Sequence, residues 1–358
     1  MSSVVRLSAR DPSIDTLRAL ACIALVSYHV VGYTSASGME LPADHWLVVL
    51  NATFGDMRMP LFSFLSGYVF VSLEALTRPL GQLLLSKMRR LLLPLFSVGV
   101  LFWLANTGMG RAQPPLTSLL YLPYAHFWFL QATFVILASF LLLRAIWPGH
   151  STTLACALMV FTALIWVTGP RASVNIFSIN LTAYLMPFFM LGYLCAHGQV
   201  LRVLRAHVSR TLAAVMILLL LGVGTGLAAG WIGPPGPAAR HALTLLIGAV
   251  YCLSLLVLAP RHEGLARIGS YSYTIYLFHV FFTAGSFESL RLLVPNLPEA
   301  LVWLLGLAAG LAGPILLHHA VMRSAVLPTL LLGLNTRRGI TRPVAPSGRA
   351  PNALVRPS

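Results

Sequence analysis

Apolar runs as long as a bilayer is thick recur from one end of this chain to the other, separated by short polar segments. Ten can be drawn, over 15–34, 58–76, 91–108, 122–143, 152–169, 177–197, 211–231, 241–259, 269–287 and 299–327. A run of roughly 18 or more apolar residues is a candidate membrane-spanning helix. The pattern predicts an all-α, polytopic transmembrane helical bundle of about ten spans.

Composition agrees: of 358 residues 58% are hydrophobic and 9% charged, and the mean hydropathy is +0.82. A formal net charge of +15 would suit a nucleic-acid partner, but the basic residues fall in short clusters between apolar runs rather than along one soluble face. That is a topology signal, and it argues against nucleic acid. With a cytoplasmic N-terminus, 19 of the 24 cations fall on the inner side, and only Arg58, Arg111, Arg171, Arg240 and Arg291 fall outside. Both termini are therefore expected in the cytoplasm, with an even span count: ten, or else eight or twelve.

The early run does not read as a cleaved signal peptide. Ser35-Ala36-Ser37 resembles a cleavage site, but Arg18 and His29 interrupt the run and its ~20-residue length suits a retained span. Residues 1–334 are expected to form one membrane domain, and 335–358, rich in Pro and Arg, a disordered cytoplasmic tail suited to anionic headgroups. Cys22, Cys156, Cys195 and Cys252 lie far apart in apolar runs and read as packed thiols, with no metal site or disulfide scaffold. The glycines from Gly222 to Gly236 follow no strand, so helix packing and a tight turn explain them better than a phosphate loop does.

The candidate chemistry starts with Arg18 and His29. Eleven residues at ~100° and ~1.5 Å each return the two side chains to one face of the first span, ~16 Å apart. The same rise puts His29 ~20 Å from Asp15 and His279 ~18 Å beyond Arg267, at comparable depth in the outer half of the bilayer. His126 opens the fourth span, and Asp56 and Arg58 stand at the outer mouth of the second. Ionisable groups inside a membrane are costly and mark function by default. Only Glu74 and Glu288 are expected near the spans among the acids, so a paired-carboxylate mechanism is poorly supplied. Lys87, Arg89 and Arg90 read either as an inner topology signal or as a phosphate clamp. The outer segment from Thr34 to Met57, holding Glu40, Asp44, His45 and Asp56, is a candidate lid or a solvated loop. No Ser/His/Asp order or G-x-S-x-G elbow is present.

With these residues in place the chain resembles the acyltransferase 3 family of integral membrane O-acyltransferases. Arg18 and His29 fit the family's R-x10-H element. Pro60 to Tyr68 resembles its "PLFFxxSG" signature, and Lys87 and Arg90, followed by Leu91 to Pro94, its (R/K)-x-x-R element. His126 to Leu130 resembles "hxWFL", Pro187 to Tyr193 "FxxGY", and Ser272 to His279 "SYxIYLxH". Two departures stand out: Lys87 replaces the usual first arginine, and no C-terminal esterase-like domain of the kind some members carry is expected.

The resemblance implies transfer of an acyl group, acetyl in the first instance, from cytosolic acyl-CoA to a hydroxyl of an envelope sugar or polysaccharide, in a bacterial inner membrane. No permanently bound cofactor or metal is implied. The phosphates of acyl-CoA would meet Lys87, Arg89 and Arg90, and His29 would act as general base or as nucleophile, with Arg18 on a phosphate or carbonyl. Arg58, His126, Trp128, Tyr276 and His279 are expected around the acceptor, with Tyr28 or His279 as oxyanion donors. The rival expectations are a secondary transporter or flippase of an anionic or lipid-linked sugar, and a non-enzymatic scaffold.

Overall fold

The computed structural model describes residues 11–32, 37–72, 79–197 and 199–335. Arg6, Arg10, Ser35, Ala36, Glu74, Arg78 and the basic tail beyond Asn335 lie outside the described residues.

Local chemistry sets the helix boundaries. α1 (Pro12–Val31) starts where the Asp11 carboxylate accepts from the Ser13 N–H at 3.0 Å, with Pro12 in the first turn, where its missing N–H costs nothing. α9 (Arg210–Ala228) is capped by Ser209 accepting from Leu212 N–H at 3.1 Å, and α10 (Pro237–Leu258) opens on a proline. The other long helices are α3 (Gly55–Ser72), α4 (Leu80–Gly108), α5 (Trp128–Ile146), α6 (Ser151–Thr168), α7 (Ile179–Ala196), α12 (Ser272–Leu293) and α13 (Glu299–Val321). Short helices α2 (Trp46–Thr53), α8 (Gln199–His207), α11 (Glu263–Ser270) and α14 (Leu327–Leu332) join or flank them, and there is no strand among the described residues.

Eight segments are long and apolar enough to cross a membrane: α1, α4, α5, α6, α7, α9, α10 and α13. The two remaining long helices, α3 and α12, carry Asp56 and Arg58, and Glu288 and Arg291, and are less apolar for that reason. They also sit inside the bundle. α3 packs against α7, α10 and α1, and residues 274–279 of α12 are buried without a break against α1 and α13. Protein rather than lipid covers those surfaces. By contrast α6 and α9 are peripheral, burying only Ala155 and Thr162, and Ala213 and Gly226 respectively, while Phe161, Leu164, Leu218 and Leu219 stay exposed as a lipid-facing surface requires.

Several boundaries differ from expectation. α4 begins at Leu80 rather than 91, because Lys and Arg are good helix formers and nothing breaks the chain between Pro79 and Lys87. Lys87, Arg89 and Arg90 are thus helical residues. The outer segment from Thr34 to Met57 contains α2, which packs against α9. The last expected span ends early, at Val321, and α14 follows it. Because α1 and α3 start early, Asp15 (4% exposed) and Asp56 lie within helices, which corrects the expectation that only Glu74 and Glu288 approach them.

Candidate active site

Three histidines from three helical segments meet in the bundle. The ring centroid of His29, near the end of α1, lies 4.8 Å from that of His279 on α12 and 6.1 Å from that of His126, and the latter two are 5.1 Å apart. The equal depth expected of His29 and His279 brings them together. His279 and His126 are buried, at 0% and 6% exposure, whereas His29 keeps part of its surface accessible.

The local backbone explains how His126 reaches this point. It lies in the 3₁₀ turn Ala125–Phe127, just before α5, and Ala125 adopts φ +43°, a left-handed conformation unfavourable for a residue with a Cβ. Two contacts hold the turn. The Tyr276 hydroxyl donates to the His126 carbonyl, and His126 Nε2 lies 3.3 Å from the Leu277 carbonyl. Phe102 of α4 meets the imidazole edge-on at 5.7 Å. Tyr276, expected beside the acceptor, therefore contributes through the backbone that carries His126. No sequence signal pointed to this contact.

Beside Tyr28, the neighbour of His29, the Arg58 guanidinium lies 4.1 Å from the ring centroid and donates to the Asn51 carbonyl at 3.0 Å. Trp128, the first residue of α5, is half-buried with its ring edge-on to Phe129. Asp56 is held by both guanidinium nitrogens of Arg240 at 2.9 and 3.0 Å, tying α3 to α10 at this end. Asp56→Asn should lower the thermal stability of the solubilised protein, and Asp56→Arg with Arg240→Asp should recover part of the loss in a melting experiment.

At the opposite end the expected cations have partners. Arg18 pairs with Asp15 at 2.9 Å, one turn before it. Arg90 stacks 3.9 Å from the Tyr273 ring and donates to the Leu332 carbonyl at 2.5 Å, and Arg89 Nε reaches the Gly333 carbonyl at 3.4 Å. α14 is strapped to α4 by these contacts, together with Ser97 Oγ to the Leu330 carbonyl at 2.6 Å. The Lys87 ammonium lies 5.3 Å from the Phe70 ring centroid. A cavity of about 710 Å³ opens at this end between the α8–α9 connection and the C-terminal end of α10, lined by Arg205, Arg210 and Arg261 among others. Arg261 reaches Asp11 at 4.0 Å, so the cavity adjoins the start of α1. Sequence reasoning counted these three arginines as topology and missed the space between them.

Among the described residues, no group of His, Cys, Asp or Glu has the arrangement of a metal site, and all four cysteines are free thiols. An imidazole group inside a helical membrane bundle, with cations gathered at one end, defines a multi-pass membrane protein equipped for acid-base chemistry. The chain matches the family described as an acyltransferase domain over residues 11–319, and it belongs to the acyltransferase 3 family. It is a membrane acyltransferase acting on groups other than aminoacyl groups, which sets aside the transporter and scaffold readings. No curated protein and no solved structure matches the chain.

Proposed function

We propose that this protein moves an acyl group, acetyl in the simplest case, from cytosolic acyl-CoA to a hydroxyl of an envelope sugar or polysaccharide. Its setting would be a bacterial inner membrane, crossed ten times with both termini in the cytoplasm. One observation carries the reading: His29 is the partly accessible member of a three-imidazole group otherwise sealed by protein. A neutral imidazole reachable by substrate can serve as a general base. It takes the proton of the acceptor hydroxyl as the oxygen attacks the thioester carbonyl. The C–S bond then breaks, and the imidazolium returns the proton to the CoA thiolate, so ester and free CoA leave and the enzyme is restored.

The donor end follows from the cations. Arg90 and Arg89 bond to carbonyls of the C-terminal segment. Lys87 and the cavity lined by Arg205, Arg210 and Arg261 combine charge with space, and ~710 Å³ is the size of a small-molecule pocket. In this reading the phosphates of acyl-CoA bind there, and the pantetheine arm extends along α1 toward His29, past Arg18. Arg58, Trp128 and Tyr28 border the opposite approach, where the acceptor enters.

The test is transfer of label from [14C]acetyl-CoA to an envelope glycan extract by purified protein. Label on the glycan supports the reading, and label released only as acetate removes the acceptor assignment. Arg205→Gln with Arg210→Gln should raise the KM for acetyl-CoA by about tenfold, the worth of one lost charge-assisted contact or more, while kcat holds. An unchanged KM would move the donor site elsewhere.

A further inference from the structure

A neutral imidazole has one N–H and one lone pair, and the hydrogen bond at one nitrogen fixes the role of the other. His279 Nδ1 lies 2.9 Å from the Ile275 carbonyl and 2.9 Å from the Tyr276 carbonyl. Two acceptors at that distance require the proton on Nδ1. Nε2 then carries the lone pair, and it is buried with no hydrogen-bond partner. A buried polar atom left unpaired is uncommon and calls for an explanation. Of the two histidine rings beside that of His279, His29 is the nearer, at 4.8 Å between centroids against 5.1 Å for His126.

His126 shows the same logic. Its Nε2 faces the Leu277 carbonyl at 3.3 Å, so Nε2 donates and Nδ1 is left as an acceptor. Both imidazoles beside His29 are therefore oriented by backbone carbonyls, while no hydrogen bond among the described residues fixes the ring of His29.

We infer that His279 is a positioning residue for His29: its Nε2 lone pair receives an N–H of the His29 imidazole, steering the other nitrogen toward the acceptor hydroxyl and stabilising the imidazolium that forms. This rests on His29 being the base. It also changes the expected part of His279, because an Nε2 without a proton cannot donate to an oxyanion. The resting structure leaves the acceptor unsatisfied. The N–H···N bond forms as His29 becomes cationic, so the contact favours the transition state over the ground state. A carboxylate does this work in hydrolytic triads, but among the described residues no Asp or Glu lies in this cluster. The sequence supplies an imidazole locked in its accepting tautomer instead.

The acceptor-versus-donor distinction is testable with full-length protein in nanodiscs, using [14C]acetyl-CoA and envelope glycan extract as probes. His279→Leu, which keeps bulk and removes the acceptor, should lower kcat by on the order of 10²-fold or more, the scale of losing an orienting partner, with the acetyl-CoA KM unchanged. His279→Glu restores an acceptor and should exceed the Leu variant in kcat by at least tenfold, provided both melt as the parent does. A Glu variant no better than Leu, or a Leu variant at full rate, overturns the proposal. Independently of activity, [15N]histidine-labelled protein, with the His279 signals identified by their loss in His279→Gln, should show a protonated Nδ1 and an unprotonated Nε2. The reverse tautomer overturns the inference as well. If His29→Ala retained activity, the base assignment would fall while this tautomer measurement remained readable, so the two failures are distinct.

Discussion

His29→Ala should reduce acyl transfer by about 10²–10⁴-fold, the range general-base catalysis supplies, while the protein expresses, inserts and melts as before. The expected stability follows from position. His29 is only partly buried and no hydrogen bond to a described residue depends on its ring, so truncation removes chemistry rather than support. The packing of α1 rests on other residues, among them Leu17, Ala21, Cys22 and Val26, each 0% exposed, and Leu25 at 4%. Transfer measured with labelled acetyl-CoA beside a thermal melt separates the two effects. An active His29→Ala enzyme would remove the proposed base, and an inactive but unfolded one would show that the ring holds the bundle together. His29→Gln, which keeps bulk and polarity without a basic nitrogen, should be as inactive as the alanine variant.

The second large effect lies far from the histidines in sequence logic but close to them in the fold. Gly67 on α3 meets the Phe189 backbone of α7, and Gly192 on α7 meets the Phe64 backbone of α3. The contacts are reciprocal, so each glycine is the gap into which the other helix fits. Ser63 Oγ, donating to the Leu185 carbonyl at 2.9 Å, extends the same crossing. A Cβ at either glycine would collide with main chain, which cannot move aside as a flexible side chain can. Gly67→Ala and Gly192→Ala should therefore each destabilise the solubilised protein by at least ~1–3 kcal/mol, the usual range for overpacking, and Gly67→Leu should prevent assembly. Gly285→Ala supplies the contrast: open space surrounds that position on α12, and exchange for a better helix former should be neutral or stabilising by up to ~1 kcal/mol. Thermal melts of the three alanine variants test the sign. Equal behaviour at Gly67 and Gly285 would disprove the close crossing.

These glycines also show what a motif string conceals. Ser66-Gly67 and Gly192-Tyr193 are parts of two family-like segments more than a hundred residues apart, and each reads in sequence as a separate signature. In the folded chain the two glycines are the two sides of one contact. Strings that carry a family resemblance can thus report packing as readily as catalysis.

The histidines follow the opposite course. Period, rise and the inside bias of the cations set His29 and His279 at one depth, and the structure joins them. His126 was legible as a polar residue at a span edge within a family-like segment, but its place against the other two rings was not, because that depends on the Ala125 turn and the Tyr276 hydroxyl, which no local pattern announces. For Arg89 and Arg90, charge pointed to an anion, whereas the structure gives each a carbonyl of the C-terminal segment. The arginines lining the large cavity, scattered from 205 to 261, could not be seen as neighbours in one dimension.

By itself the sequence determined that this chain is a helical membrane protein, which helices are long, which end of the bundle gathers the cations, and which family it joins. These are local or additive properties: hydropathy over a window, charge over a segment, residue order along a motif. Only the tertiary structure decided which rings share a cluster, which nitrogen of His279 holds the proton, which cations already have partners and where two helices touch through glycine. Such facts depend on rotation and translation between helices, set by close packing of surfaces distant in sequence, and an apolar run carries almost no record of which of its faces meets protein and which meets lipid.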